Sequence, residues 1–249
     1  MSGHSKWSTI KHKKAATDAK RGKIFTRLTK ELTVSAREGG GDPETNVRLR
    51  LAIDKAKAAN MPKDNIERAI KRGTGELAGG ELEEILYEGY APHGVGVLIE
   101  VVTDNRNRAI AEVRHVFNKQ GGNMAEAGAV SWQFTRKGYI NISENIDQDE
   151  IFLVAADAGA DDVSFEDGLA EVYTNIEELQ DIRAALEEAG FTCDEVSVIY
   201  DPNNPIELGS SEALQVMKLV EILEDLDDVQ NVYSALDISE ETMAALETA

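Results

Sequence analysis

The chain has a single cysteine, Cys193, in 249 residues, so no intrachain disulfide framework can form, and a reducing compartment is expected. No apolar run approaches the length of a membrane span. The N-terminus is basic but has no apolar stretch behind it, and Gly stands at position 3, not 2, so neither a secretory signal nor a myristoylation pattern is present. These absences predict a soluble, cytoplasmic protein without a membrane partner. Catalytic and metal signatures are missing too. The four histidines (His4, His12, His93, His115) never lie three or four residues apart, and Cys193 has no companion at metal-ligand spacing. There is no phosphate-binding Gly-x-x-x-x-Gly-Lys loop and no Gly-x-Ser-x-Gly elbow. Gly94-Val-Gly96 lacks the third glycine and the helix of a dinucleotide fingerprint. Carboxylate pairs such as Glu83-Glu84 and Asp227-Asp228 read as solvated surface pairs. We therefore expect no catalytic residue, no metal and no cofactor, and hence not an enzyme.

Basic residues are scarce beyond residue 75, and this is the most informative shortage. Residues 1–75 hold 18 of the 26 Lys+Arg and 8 of the 46 Asp+Glu, a net charge of +10; the remainder holds 8 basic and 38 acidic residues, a net charge of −30. The whole-chain value of −20 conceals a basic head on an acidic body. Such a head can bind phosphates, because the contact responds to local potential more than to total charge.

The patterning predicts several modules. Residues 1–21 read as a basic N-terminal arm without a sustained apolar stripe. Residues 22–78 read as a helical bundle of three helices. Ile24, Phe25, Leu28 and Leu32 mark the first, stopped by Gly39-Gly40-Gly41. Asp42-Pro43 is read as the cap and first position of the second, and Met61-Pro62 opens a third that stops at Gly73. Gly73–Gly80 is a linker where the charge changes sign. Beyond it the pattern becomes mixed: a strand over Val95–Val102, a helix capped by Asp104 or Asn105, and a strand over Ala129–Phe134. Next comes a β-α-β-β-α-β order with a hairpin at Asp167-Gly168 and an Asn175/Glu178 capping box. A helix capped by Ser210 or Ser211, a strand over Val229–Leu236 and an acidic helical tail follow. The expected fold is α+β and multi-domain: an N-terminal helical bundle plus two α/β ferredoxin-like domains, the third inserted into the second. The boundaries are 79–135 plus 204–249 for the discontinuous domain and 136–203 for the inserted one.

The candidate nucleic-acid-binding residues are basic. Lys6, Lys11, Lys13, Lys14, Lys20, Arg21, Lys23 and Arg27 crowd the arm and first helix, with Trp7 placed to stack on a base or to fold back as an anchor. Lys63, Arg68, Lys71 and Arg72 either extend the patch or simply complement their helix dipole. Arg106 and Arg108, with Arg114, either touch nucleic acid or pair with neighbouring acids.

Four stretches carry a resemblance that spans essentially the whole chain: GHSKWSTIKHKKAATDAKRGKIFTRLTKE (Gly3–Glu31), ANMPKDNIERAIKRGTGE (Ala59–Glu76), YEGYAPHGVGVLIEVVTDNRNR (Tyr87–Arg108) and the segment from Gly121-Gly122-Asn123 to Trp132. They resemble the YebC/PmpR family, described as transcriptional regulatory proteins, with a mitochondrial relative that activates translation of a cytochrome oxidase subunit. His93 stands where the family tends to have Gly in a Pro-Gly-Gly turn. The resemblance implies three domains, one α/β domain inserted in another, and no enzymatic activity. It implies either a DNA-binding transcriptional regulator or a ribosome- and RNA-binding translation factor that relieves stalling at proline-rich stretches. The expected partner is nucleic acid, DNA or ribosomal RNA, held by the basic N-terminal region, with a protein partner as a further option on the acidic domains. The patterns favour a monomer.

Overall fold

The structure is a computed structural model that describes residues 18–166 and 168–238, with side chains described from residue 22 onward. It is α+β, with seven α-helices and antiparallel four-stranded sheets among the described residues. Two compact units divide it: Phe134–Asn203, and the residues before and after that segment.

The larger unit begins with helix α1 (Asp18–Gly39), which starts inside the segment expected as an arm, followed by α2 (Val47–Ala58) and α3 (Lys63–Gly73). These three helices form a head with its own apolar core. Leu32 and Ala36 of α1 meet Leu49, Ala52 and Ala56 of α2, then Met61, Ile66 and Ala69, with Phe25 and Leu28 packed against them. Ile24, expected in the same stripe, is instead exposed. Helix α3 approaches α1 closely at Gly73, where a Cβ would lie 2.3 Å from the Thr33 carbonyl oxygen and 2.8 Å from the Ala36 Cβ. Only glycine permits that distance.

The second helix does not begin at Asp42-Pro43. Its cap is Asn46, whose Oδ1 accepts from the Leu49 amide at 3.0 Å. The Asn46 amide group also donates to the Ser35 and Gly40 carbonyls at 2.8 Å each, tying the loop to the end of α1. That buried three-bond arrangement outcompetes the local Asp-Pro signal, and Asp42 is left to accept from the Glu44 amide.

Strands β1 (Glu83–Tyr90) and β2 (Gly96–Thr103) then pair antiparallel from Glu83↔Thr103 to Tyr90↔Gly96. The turn joining them puts His93 at φ 64, a left-handed conformation that explains why glycine suits this position. Helix α4 (Arg106–Gln120) is capped by Asn105 through the Arg108 amide and closed by Gly121 at φ 79. Strand β3 (Asn123–Ala125) pairs with β1.

The expected strand over Ala129–Phe134 does not form. The Glu88 carboxylate captures the amides of Gly128, Val130 and Ser131 at 2.7, 2.6 and 2.9 Å, so these groups are not offered to a sheet. The segment is a loop and a short 3₁₀ turn, and a strand begins only at Phe134.

The smaller unit runs β4 (Phe134–Ile142), α5 (Gln148–Asp157), β5 (Asp162–Glu166), β6 (Leu169–Thr174), α6 (Leu179–Glu188) and β7 (Glu195–Pro202). Its sheet order is β5-β6-β4-β7, all antiparallel, the arrangement of a split β-α-β unit. Glu166 pairs with Leu169 around Gly168 at φ 75; Asp167 lies outside the described residues. No capping box opens α6: its cap position is Glu178, without a side-chain cap bond, while Asn175 reaches the Glu178 carboxylate at 3.5 Å.

On its return the chain forms β8 (Ile206–Glu207), α7 (Ser210–Glu224), β9 (Val229–Ser234) and β10 (Leu236–Asp237). Gly209, not a serine, occupies the cap position of α7. Strand β9 completes the sheet β3-β1-β2-β9, with a bulge at Glu100/Val101. Its first two strands are joined directly, so this sheet does not follow the β-α-β-β-α-β order. The tail expected as an acidic helix falls, from residue 239, outside the described residues.

Candidate nucleic-acid interface

Helix α3 sorts its residues by face. Ile66 and Ala69 enter the head core with Ile70 against it, which leaves Lys63, Asp64, Glu67, Arg68, Lys71 and Arg72 to face water. Lys63 is drawn toward Glu67 at 3.7 Å. Arg68, Lys71 and Arg72 stand at i, i+3 and i+4, adjacent on the helix surface, and make no side-chain hydrogen bond or ion pair among the described residues. All three are exposed. They form a compact cationic face whose charges are not paired among the described residues.

Beside this face is a cleft of about 520 Å³, lined by Phe25, Thr26, Thr29, Lys30 and Thr33 of α1, by Arg72, by Ala78–Gly80 and Leu82, and by Asp104. The threonine hydroxyls donate to carbonyls one turn back, Thr26 to Gly22, Thr29 to Phe25 and Thr33 to Thr29, so their oxygen lone pairs are what remains to offer.

The other candidates divide sharply. Lys6, Trp7, Lys11, Lys13 and Lys14 lie outside the described residues, and Lys20 and Arg21 contribute backbone to α1 but no described side chain. Lys23 and Arg108 are engaged internally, while the Arg27 guanidinium is half-buried with its Nε unpartnered among the described residues. The Lys23 Nζ donates to the Asp225 carbonyl at 2.9 Å. Burial lowers the proton affinity of the Arg27 guanidinium, and Glu224, Asp225 and Asp227 are the charges that oppose this. Arg108 donates to Asp228 at 2.7 Å and to Asp104 at 2.9 Å, so it pairs with acids both near and far in sequence. Arg106 is exposed beside Tyr87, whose hydroxyl is held above its usual pKa by burial and pulled back by this guanidinium. Of the named residues, the structure thus brings Lys71 and Arg72 together with Arg68, and places Arg106 and Arg108 on a different helix.

Two residues escaped sequence reasoning. Lys30 reaches Asp228 at 2.5 Å, with side chains only 15% and 6% exposed. Asp228 also accepts from Thr103 at 2.8 Å. Burial works against its charge, but Lys30, Arg108 and Thr103 more than offset this and hold its carboxyl below the usual range. Arg48 gathers Glu31, Glu38 and Glu84 at 2.8–2.9 Å; burial works against its charge, but Glu31 and Glu84 overcome this and raise its proton affinity. Periodicity could not reveal either, because the partners lie up to 198 positions apart.

Among the described residues, no group of three or more His, Cys, Asp or Glu is placed to hold a metal ion. The Cys193 thiol is pushed up to about 11 by burial, with Glu187 adding to it, which makes it a poor nucleophile. No described helix is long and apolar enough to cross a membrane.

Comparison with known proteins places these features in a family. Residues 5–76 match the profile described as the TACO1/YebC protein N-terminal domain, and residues 82–236 match that of the TACO1/YebC second and third domain. A protein of Geobacter sulfurreducens named "probable transcriptional regulatory protein" is 57% identical over 246 residues, covering 99% of this chain and all of the relative. One of Acidithiobacillus ferrooxidans with the same description is 57% identical over 247 residues, covering 99% of each chain. The crystal structure of a conserved hypothetical protein from Aquifex aeolicus superposes with a TM-score of 0.83 at 46% identity, over 90% of this chain and 93% of that one. With both profiles and full-length relatives in agreement, the chain belongs to the TACO1/YebC family.

Proposed function

We propose that this protein is a non-enzymatic regulator of gene expression that binds nucleic acid, with DNA as its ligand, through the basic head. The observation that carries the reading is the cationic face of α3: Arg68, Lys71 and Arg72 are adjacent, exposed and unpaired among the described residues, whereas other head cations are held by internal oxygens. The names of the relatives support the regulatory half of the reading. Lysine and arginine in such a cluster act on phosphates as point charges and forks, and confer affinity before sequence preference. The segment read as a basic arm, residues 1–21, adds further cations to the same end of the chain.

Ultraviolet crosslinking in cells, followed by sequencing of the bound nucleic acid, tests this. Enrichment of DNA upstream of genes is the expected outcome. Enrichment of ribosomal RNA would replace DNA by RNA as the ligand, and recovery of neither above a protein lacking residues 1–76 would refute nucleic-acid binding.

A further inference from the structure

The head is joined to the sheet portion of its unit by contacts of one polarity. Side-chain hydrogen bonds between them run from head cations to oxygens of the sheet portion: Lys23, Lys30, Arg37 and Arg48 are the donors. The turn after α7 concentrates them. Lys23 donates to the Asp225 carbonyl at 2.9 Å and lies 3.9 Å from its carboxylate. Lys30 donates to the Asp227 carbonyl at 3.0 Å and to the Asp228 carboxylate at 2.5 Å. Positions 23, 27 and 30 share one face of α1, and the charges around Arg27 between them are Glu224, Asp225 and Asp227. The turn follows the C-terminal end of α7, where the helix dipole adds negative potential. Anionic and carbonyl oxygens meeting lysine donors along one helix face are the chemistry that a nucleic-acid backbone would offer to the same face.

We propose that the turn Asp225–Asp228 is a built-in competitor for nucleic-acid phosphates: it occupies the lysines of α1, so that nucleic acid meets α3 first and gains Lys23 and Lys30 only by displacing the turn. The proposal rests on the nucleic-acid reading above. It makes the acidic body a brake on non-specific binding that acts at a defined contact and not only through net charge.

The test compares the full chain with D225N/D227N and with a control, E144Q/D149N, which removes the same charge from exposed positions of the other compact unit. Asp228 is left intact because it is buried with Thr103 and Arg108. Duplex DNA affinity is read by fluorescence anisotropy across a salt series. D225N/D227N should bind about tenfold more tightly at low salt, with a slope of log K against log salt steeper by about 2, near 0.9 per added phosphate contact. An equal gain in the control, or no gain in D225N/D227N, overturns the proposal. A second readout is independent of nucleic acid: energy transfer between labels at Asn60→Cys in the head and Gln120→Cys in α4, in a Cys193→Ser background. Heparin should change the transfer in the otherwise wild-type chain, and an uncharged polymer should not; an unchanged signal in heparin overturns the proposal. Failure of wild type to bind DNA or RNA, with the heparin response intact, would sink the nucleic-acid reading and leave the competing turn standing.

Discussion

Replacing Glu88 by Gln tests the claim that one buried carboxylate, not strand propensity, shapes the 126–133 segment. Glu88 is 5% exposed and receives three amide hydrogen bonds, Gly128 on Oε1 and Val130 and Ser131 on Oε2. Glutamine has one carbonyl oxygen, so at least one of these amides must face an NH₂ group, donor against donor. The remaining bonds lose their charge assistance, and a bond to a charged acceptor contributes about 1.5–3 kcal/mol against about 1 for a neutral one. The expected cost is about 2–4 kcal/mol, counting one bond lost and two weakened. Burial opposes the Glu88 charge, but the three amides outweigh it and hold the carboxyl below its ordinary range. The sign follows: the wild-type contribution is complete above the unfolded carboxyl pKa of about 4.3 and is lost as pH falls through the depressed folded value. The Gln variant should lack that acid limb. Urea unfolding followed by circular dichroism, with hydrogen exchange of the Val130 and Ser131 amides, measures both effects. A loss under about 0.5 kcal/mol with unchanged exchange at those amides would refute the reasoning, since that is the range of an uninvolved surface change.

Two further substitutions probe other parts of the account. Gly73→Ala places a Cβ 2.3 Å from the Thr33 carbonyl oxygen, so the overpacking cost of about 1–3 kcal/mol should exceed the helix-propensity gain of about 1; an alanine variant as stable as wild type in thermal unfolding would contradict the close approach of α3 to α1. Glu100 is half-buried, with its carboxyl raised first by burial and then by Glu31 and Glu84, while Asn231 and Tyr233 pull it down. Its charge is thus penalised on folding, so Glu100→Gln should stabilise the protein at neutral pH by about 0.5–1.5 kcal/mol, and the two proteins should converge as acid protonates the wild type. A variant less stable than wild type at pH 7 would count against that sign.

Features set by neighbours in sequence were legible in it. Asn105 as a cap, Gly121 as a stop, the hairpin closed at Gly168 and the three-helix head all follow from local chemistry. What failed was decided at a distance. The Ala129–Phe134 run has strand character, but Glu88, 42 positions from Val130, takes its amides. Asp42-Pro43 is a sound cap signal, overruled because Asn46 can also reach Ser35 and Gly40. The candidate site divides in the same way. The exposed face of α3 is an amphipathic pattern and could be read directly. Lys23 looked free because its acidic partner, Asp225, lies 202 positions away, and of the two acids that hold Arg108 only Asp104 is a neighbour in sequence, while Asp228 lies 120 positions away. Charge runs report how many cations a segment holds, while the folded chain decides which remain available.

The central claim is that phosphates meet the protein on α3, and the salt dependence of duplex binding tests it most directly. Three cations that each neutralise one phosphate contribute about 0.9 apiece to the slope of log K against log salt. R68A/K71A/R72A should therefore flatten the wild-type slope by about 3 and weaken binding at low salt, with unfolding unchanged because none of the three side chains is held internally among the described residues. A triple variant with the wild-type slope and affinity would contradict the account.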